Sequence, residues 1–210
     1  MQPTARTTIH RKPQRGSYDR EVIHRILDDG LVAHCAFAIE GQPYVIPMVY
    51  ARLDDQLVLH GAIASRMLAQ GAGGVAFCAT ITIVDGLVLA RSWFHHSMNY
   101  RSVVVLGTAR EISERGEKLR ALEALVEHAL PGRAHESRAP SEKELAATRV
   151  IALSIDEASA KCREGGPLPD DDGELPWWSG VVPLALRASA PVADADVRGP
   201  LPASLARWMR

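Results

Sequence analysis

Short apolar segments with strand character follow one another through the first half of the chain, and each ends at a turn. The segments LVAHCAFAI (31–39) and PYVIPMVYARL (43–53) flank a turn at residues 40–42, and Asp54 and Asp55 lead into QLVLHG (56–61). Apolar, β-branched runs bounded by turn residues predict strands, and connections this short join antiparallel neighbours. The pattern predicts an antiparallel meander and argues against the alternating units of a parallel sheet.

The rest of the chain adds further strands and a few helices. A hairpin at Asp85-Gly86 is predicted between VAFCATITIV and LVLARSWF, followed by a long strand over 100–112 with a bulge or bend at Gly107 and a last strand over 149–155. Helices are predicted from Tyr18-Asp19 to a stop at Gly30, over 64–72, and over 115–130 with Leu119, Leu122, Val126 and Ala129 on one face. The fold class is therefore mainly β with flanking helices (α+β), with six or more antiparallel strands in a small Greek-key-like or split barrel.

Length and composition limit the class of protein. The 210 residues suit one domain over 18–187, with an N-terminal arm (1–17) and an Ala/Pro-rich C-terminal tail (188–210). A net charge of -1 does not favour nucleic acid as a partner. No apolar run is long enough for a membrane span or a signal peptide, so a cytoplasmic location is expected. The three cysteines are far apart and suggest neither a disulfide framework nor a metal centre.

The segment LVLHGAIASRMLAQ (57–70) is a candidate anion site. A strand that ends at His60-Gly61 and a helix that begins near Ser65 offer free backbone N–H groups, beside a hydroxyl and the Arg66 guanidinium. Small residues at Gly61 and Ala62 would let a ligand approach the main chain. The alternative is that Ser65 is only a helix N-cap and Arg66 a solvated surface residue. The local pattern leaves both open.

Two further segments carry polar side chains within apolar strands. Asn99, Tyr100 and Arg101 either turn the chain or enter a shared polar pocket, and Thr80 and Thr82 lie on one strand face, where they line a ligand or are simply good strand residues. His95-His96 does not predict zinc, because adjacent residues of an extended chain point to opposite sides and no third ligand lies at a suitable spacing. Dinucleotide-binding, P-loop, nucleophile-elbow and zinc-protease motifs are absent.

Three ordered segments carry a resemblance to a known family. They are RGSYDREVIHRILDDGLVAHCAFAIEGQPYVIPMVYARLDDQLVLHGAIASRML, FHHSMNYRSVVVLGTAREI and IDEASAKCREGGPLPDDDGELPWWSGVVPLAL. Together they resemble the pyridoxamine 5'-phosphate oxidase-like flavin-binding proteins, and more narrowly the branch of the nitroimidazole-resistance reductases. The resemblance covers about residues 11–187. The segments that bind substrate phosphate in true pyridoxamine phosphate oxidases are not reproduced, which argues against that reaction.

The resemblance implies a six-stranded antiparallel split barrel of the FMN-binding type, which forms a homodimer with the flavin at the interface; FAD in place of FMN is left open. It assigns the flavin to His60, Gly61, Ala62, Ser65 and Arg66, places His60 near the flavin ring or substrate, and adds Asn99, Tyr100, Arg101 and the Trp177-Trp178 segment. Thr80 and Thr82 complete the predicted cofactor set. Lys161 matches a family lysine of open role.

The function expected from this resemblance is an FMN-dependent oxidoreductase. It would take electrons from a nicotinamide donor and reduce a small, flat acceptor such as a nitroaromatic or a quinone. The alternative is a flavin-binding or flavin-storage protein without turnover. A third option is haem binding through His34 or His60, because some split barrels bind haem.

Overall fold

The computed structural model describes residues 1–168 and 175–208, which form a mainly β domain with flanking helices. The helices are α1 (Arg20–Asp29), α2 (Arg66–Ala72), α3 (Arg115–Ala129), α4 (Glu142–Ala147) and α5 (Ala203–Trp208). Within the described residues, no helix has the length and apolar character needed to cross a membrane. Residues 169–174, which belong to the third segment of the family resemblance, lie outside the described part.

Ten antiparallel strands make up the described sheet. They are β1 (Gly16–Ser17), β2 (Val32–Ile39), β3 (Gln42–Leu53), β4 (Gln56–Ala62), β5 (Ala76–Leu89), β6 (Ser97–Thr108), β7 (Arg110–Glu111), β8 (Thr148–Ser154), β9 (Ala158–Arg163) and β10 (Gly180–Pro183). Their order is β1-β9-β6-β5-β2-β3-β4-β8-β7, with β10 paired to β5, and the sheet is not closed. The predicted mainly β, antiparallel fold with flanking helices is confirmed. The strands beyond the six predicted include the short β1, β7, β9 and β10.

The alternation of side chains on β4 divides the interior into two cores. Leu57 and Leu59 are fully buried in the larger core, under α1. Val58 faces the other way and packs with Leu125 of α3 in a smaller core. Because side chains alternate along a strand, His60 lies on the same face as Val58, toward α3. This face carries the candidate site.

The helix boundaries follow the capping residues that the sequence shows. Asp19 caps α1 by accepting hydrogen bonds from the backbone N–H groups of Glu21 and Val22, and Gly30 ends the helix, as predicted. The α3 helix also lies where it was expected. Its buried residues, however, are Ala121 and Leu125, while the predicted apolar face is only partly covered. The helix therefore carries more apolar surface than the sheet buries.

The predicted hairpin at Asp85-Gly86 is wrong. These residues lie inside the continuous strand β5, where the pairing with β6 shifts register between Val84 and Gly86. A two-residue hairpin of the type predicted for Asp-Gly needs positive φ at both residues, and neither has it. Strand β10 runs beside this bulge, and a Cβ on Gly86 would lie 3.0 Å from the carbonyl oxygen of Val182. Gly86 has no side chain, and this allows β10 to pack closely against β5. The chain reverses its direction only after β5, over residues 90–96.

The predicted bulge at Gly107 is also displaced. Gly107 pairs in register with Phe77, and the irregularity of β6 lies near its other end. A Cβ at Gly107 would lie 3.0 Å from Leu153, so the glycine permits close packing against β8. The two turns predicted after β2 and β3 are confirmed, with positive φ at Glu40, Gly41 and Asp54.

Both termini contact the domain at defined points. In the arm, Arg6 pairs with Glu157, and Lys161 donates a hydrogen bond to the carbonyl of Arg11 at 2.8 Å. Near the other end of the described chain, Ser204 of α5 is buried and donates to the Glu136 carboxylate. The tail is thus exposed over much of its length but fixed where α5 begins.

Candidate functional site

An apolar cavity with a volume of about 980 Å³ lies between α3 and the sheet face that carries His60. Its floor is formed by Val49, His60 and Thr148. Its wall is formed by Leu119, Leu122, Glu123, Leu125, Val126, Ala129 and Leu130, and its rim by Arg133, Ala134, Ser137, Arg138, Ala139, Pro140 and Glu144. The surplus apolar surface of α3 therefore lines a space large enough for a cofactor-sized ligand.

His60 is the titratable group on the floor of this cavity. It is half-buried, and its Nδ1 atom is buried without a hydrogen-bond partner among the described residues. Burial lowers the pKa of His60 below its ordinary value, so the imidazole is neutral at pH 7. A neutral imidazole carries a lone pair that can accept a hydrogen bond or bind a metal. In the described part of the chain, no group of three or more His, Cys, Asp or Glu side chains could hold a bare metal ion.

The rim of the cavity contains two arginines. Arg138 forms a bidentate pair with Glu144, with both N–O distances at 2.7 Å. Arg138 holds the pKa of the Glu144 carboxyl well below its usual range. Arg133 has a looser contact, with 3.9 Å between its Nη1 atom and the Glu136 carboxylate. Of these two cations, Arg133 is the less neutralised.

The predicted anion corner at the end of β4 contains the expected residues in partly different roles. Ser65 is the N-cap of α2 and accepts a long hydrogen bond, 3.5 Å, from the backbone N–H of Leu68. Arg66 is exposed and lies 5.1 Å above the ring centroid of Tyr44, a cation–π contact. Gly61 leaves room for the chain's own Leu68, because a Cβ at Gly61 would lie 2.8 Å from it. Ala62 is exposed beside this corner.

Thr80 and Thr82 lie on the outer face of β5, away from the larger core, since Ala79 and Ile81 alternate with them and are fully buried. Thr80 pairs across the sheet with His34. The same outer face continues on β2 and β3 as apolar side chains that remain exposed: Val32, Val45 and Val49. A sheet face of this composition is suited to contact with another surface.

Asn99 and Arg101 have partners within the chain. Arg101 pairs with Asp85 at 2.9 Å and with Asp29 at 2.5 Å, which joins the end of α1 to the bulge of β5. Asn99 donates to the carbonyl of Gly165 at 3.1 Å and accepts a hydrogen bond from Arg163. Tyr100 is half-buried between them. The two carboxylates strongly neutralise Arg101.

Trp177 and Trp178 lie near this second group and far from the cavity along the sheet. They precede β10, where Gly180 pairs with Leu89, and their exposed fractions are 61% and 64%. The predicted site residues therefore form two groups, one at the end of β4 and one at the bulge of β5 and β6. Three strand steps separate β4 from β5, roughly 14 Å along the sheet.

Sequence reasoning missed the residues of the cavity rim. Arg133 and Arg138 follow the helix stop at Pro131-Gly132, in a segment that resembles an ordinary polar loop. The available signal was the width of the apolar surface of α3, which exceeds what one sheet face covers, followed directly by a loop with two arginines.

Solved structures with the same fold include two that are similar over nearly their whole length. The flavocytochrome Anf3 from Azotobacter vinelandii is 35% identical, with a TM-score of 0.91 over 98% of this chain and 97% of that one. The FAD and heme binding protein from Mycobacterium smegmatis is 38% identical, with a TM-score of 0.88 over 92% of this chain and 97% of that one.

A more distant structure shares only the fold. A Bacteroides thetaiotaomicron protein named as a candidate 5-nitroimidazole antibiotic resistance protein is 22% identical, with a TM-score of 0.57 over 70% of this chain and 85% of that one. No curated protein sequence matches the chain.

The family assignment rests on a sequence match as well as on the fold. The model of the pyridoxamine 5'-phosphate oxidase family matches residues 19–162, well over half of the chain. The matched range extends from the cap of α1 into β9 and includes the cavity and the β4 corner. The resemblance predicted from the sequence is thereby confirmed, and the chain belongs to the pyridoxamine 5'-phosphate oxidase family.

Proposed function

We propose that this protein binds a flavin and a haem and transfers electrons between them as a flavocytochrome-type oxidoreductase. The observation that carries the proposal is His60, a neutral imidazole that lines the floor of an apolar cavity of about 980 Å³. The two relatives that are 35% and 38% identical are a flavocytochrome and an FAD and heme binding protein, which supports the same assignment.

The cavity fits a haem better than it fits a polar substrate. A haem is flat and apolar and carries two carboxylates, and a histidine imidazole is one of the side chains that bind its iron in proteins. In this chain His60 would supply a nitrogen ligand to the iron, the leucines of α3 would cover the apolar ring, and the cationic rim of the cavity would lie beside the carboxylates. When bound, the haem supplies one-electron chemistry, and the polarity of the cavity around it sets its potential.

The flavin is assigned to the β4 corner on the same grounds as in the sequence. Arg66 is exposed and has no carboxylate partner among the described residues, so its guanidinium is available for a phosphate. FMN was expected from the family resemblance. The Mycobacterium smegmatis relative binds FAD, which makes FAD the better proposal for this chain.

A homodimer would unite the two groups of predicted cofactor residues. Within one chain, Arg66 lies beside β4 and the Trp177-Trp178 segment lies beside β5, and these two strands are three strand spacings apart in the sheet. The exposed outer face with Val32 and Val45 lies between them, and Val45 is 62% exposed. Association of two such faces would bury this apolar surface and bring the tryptophans of one subunit toward the β4 corner of the other.

The electron donor and acceptor are proposed from the chemistry of the cofactors. A nicotinamide can dock transiently over a flavin without a binding motif of its own, and the transfer needs no general acid or base from the protein. Reduction of a nitroaromatic or quinone remains a proposal for the acceptor side, because the nitroimidazole-related structure supports the fold alone. The alternative is a flavin-binding protein without turnover, which would show no NADH or NADPH oxidation with any acceptor.

The test uses the two histidines that the sequence offers as haem ligands. Wild-type protein, His60→Ala and the matched control His34→Ala are purified and titrated with haem, and the bound flavin is released and identified by mass spectrometry. We expect a Soret band in wild type and His34→Ala, and a shifted or weakened band in His60→Ala. Identical spectra in all three proteins would remove His60 as the ligand, and absence of flavin and haem from the wild type would refute the proposed function.

A further inference from the structure

The backbone of Arg133, at the rim of the cavity, is fixed from both sides. The Glu127 carboxylate accepts hydrogen bonds from the backbone N–H of Gly132 at 2.6 Å and of Ala134 at 2.8 Å. The backbone N–H of Arg133 donates to the carbonyl of Leu130 at 3.0 Å. Ser137 donates its hydroxyl to the carbonyl of Arg133 at 3.0 Å. These bonds hold the Cα of one rim arginine in place while leaving its side chain out of the network.

The side chain of Arg133 lacks a close carboxylate partner because the nearest carboxylate, that of Glu136, is hydrogen-bonded to α5. Glu136 accepts from the backbone N–H of Ser204 at 3.1 Å and from its hydroxyl at 2.5 Å. These bonds engage both oxygens of Glu136 and hold the pKa of its carboxyl below the ordinary value. The nearest Arg133 nitrogen stays 3.9 Å from that carboxylate, a distance longer than a hydrogen bond.

The other charged side chains at the cavity are less suited to bind an anionic ligand. Arg138 is taken up by its bidentate pair with Glu144, which would have to break before Arg138 could bind a ligand. Glu123 lies on the wall and would repel an anion. Arg133 therefore provides the cation at the edge of an apolar space, and its backbone is already ordered.

We propose that Arg133 binds a carboxylate of the ligand in the His60 cavity, and that α5 keeps Arg133 available by holding Glu136. The identity of the ligand as a haem rests on the proposed function. The role of Arg133 does not need the iron, since it concerns the acid group of a large apolar ligand. The C-terminal helix is then a positioning element for the site, acting through Glu136.

The experiment separates the carboxylate contact from the iron contact. Full-length wild type, Arg133→Gln, Arg138→Gln and the surface control Arg120→Gln are titrated with iron-free protoporphyrin IX and with its dimethyl ester, followed by porphyrin fluorescence. We expect Arg133→Gln to weaken binding of the diacid by about 10- to 100-fold and to leave the ester unchanged, because only the diacid can make charge-assisted bonds. Arg120→Gln should equal wild type with both probes.

A second arm tests the part played by α5. Ser204→Ala removes the hydroxyl bond to Oε2 of Glu136, the oxygen nearest to Arg133, while the backbone bond to Oε1 remains. The freed Oε2 can pair with Arg133, so Ser204→Ala should weaken binding of the diacid, and Glu136→Gln added to Ser204→Ala should restore it. Thermal melts verify that each variant is folded. Equal diacid affinity in Arg133→Gln and Arg120→Gln, a loss only in Arg138→Gln, or no porphyrin binding by the wild type would each overturn the inference. Haem binding that is insensitive to His60→Ala, with the Arg133 effect intact, would refute the proposed iron ligand alone.

Discussion

Replacing Tyr50 by Phe should destabilise the fold by an amount that can be worked out from its hydrogen bonds. Tyr50 is fully buried, and its hydroxyl lies 2.5 Å from the carbonyl of Leu27 and 3.1 Å from that of Gly30, at the end of α1. Burial also raises the pKa of Tyr50, so the hydroxyl remains a donor at neutral pH. In Tyr50→Phe the Gly30 carbonyl keeps His128, whose Nε2 lies 2.6 Å away, and the Leu27 carbonyl loses its side-chain donor.

One unsatisfied buried carbonyl costs about 1–3 kcal/mol, and the loss of one ordinary hydrogen bond about 1 kcal/mol. We therefore expect Tyr50→Phe to lower the free energy of unfolding by about 1–2 kcal/mol, measured by urea denaturation, and to lower Tm by about 2–4 °C per kcal/mol. The matched control is Tyr44→Phe, which keeps a half-buried ring stacked on Phe37 at 5.5 Å. If both variants differ from wild type by less than about 0.5 kcal/mol, the Tyr50 hydroxyl does not stabilise the end of α1.

Two more outcomes follow from the contacts described. Two backbone N–H groups lower the pKa of Glu127, so its contribution to stability is present above the unfolded-state value near 4.5 and is lost as the pH falls through the folded-state value. The stability difference between wild type and Glu127→Gln should therefore shrink as the pH falls below 4.5, and a difference that stays constant would contradict this assignment. Gly86→Val should push β10 away from β5 and speed hydrogen exchange of the backbone amides in residues 180–186. The control is Gly166→Val, where nothing lies within 4 Å of the added Cβ, and this variant should leave the exchange rates unchanged. Equal exchange protection in both variants would show that β10 does not depend on its close approach to Gly86.

The parts of the fold that depend on nearby residues were predictable from the sequence. Asp19 and Gly30 mark the ends of α1, and the Glu40-Gly41 turn joins β2 to β3. These residues could be recognised in the sequence because a helix cap or a turn residue acts on the backbone within a few positions of itself. Asp85-Gly86 carries an equally strong local signal but lies in an extended strand. The deciding neighbour there is β10, nearly a hundred residues later in the chain.

The candidate site shows the same division between local and distant determinants. The family resemblance, and not a local pattern, singled out His60, and this residue does line the cavity. Arg101 was expected at the cofactor, but its partners include Asp29, which is 72 residues earlier in the chain. Whether the residues predicted for the cofactor bind it remains a prediction. Arg133 was missed because its availability depends on Ser204, a contact that no local pattern indicates.

On the proposed function, the surplus apolar surface of α3 would tie the abundance of this protein to the supply of its ligand. Leu119, Leu122 and Val126 line an open cavity. Their side chains are therefore not fully buried, and the folded protein lacks the stabilisation that their complete burial would add. A ligand that fills the cavity adds the rest through mass action, about 2.7 kcal/mol at a concentration one hundred times its Kd. A cell short of that ligand would then hold less of the folded protein, since chains that open more often are degraded faster.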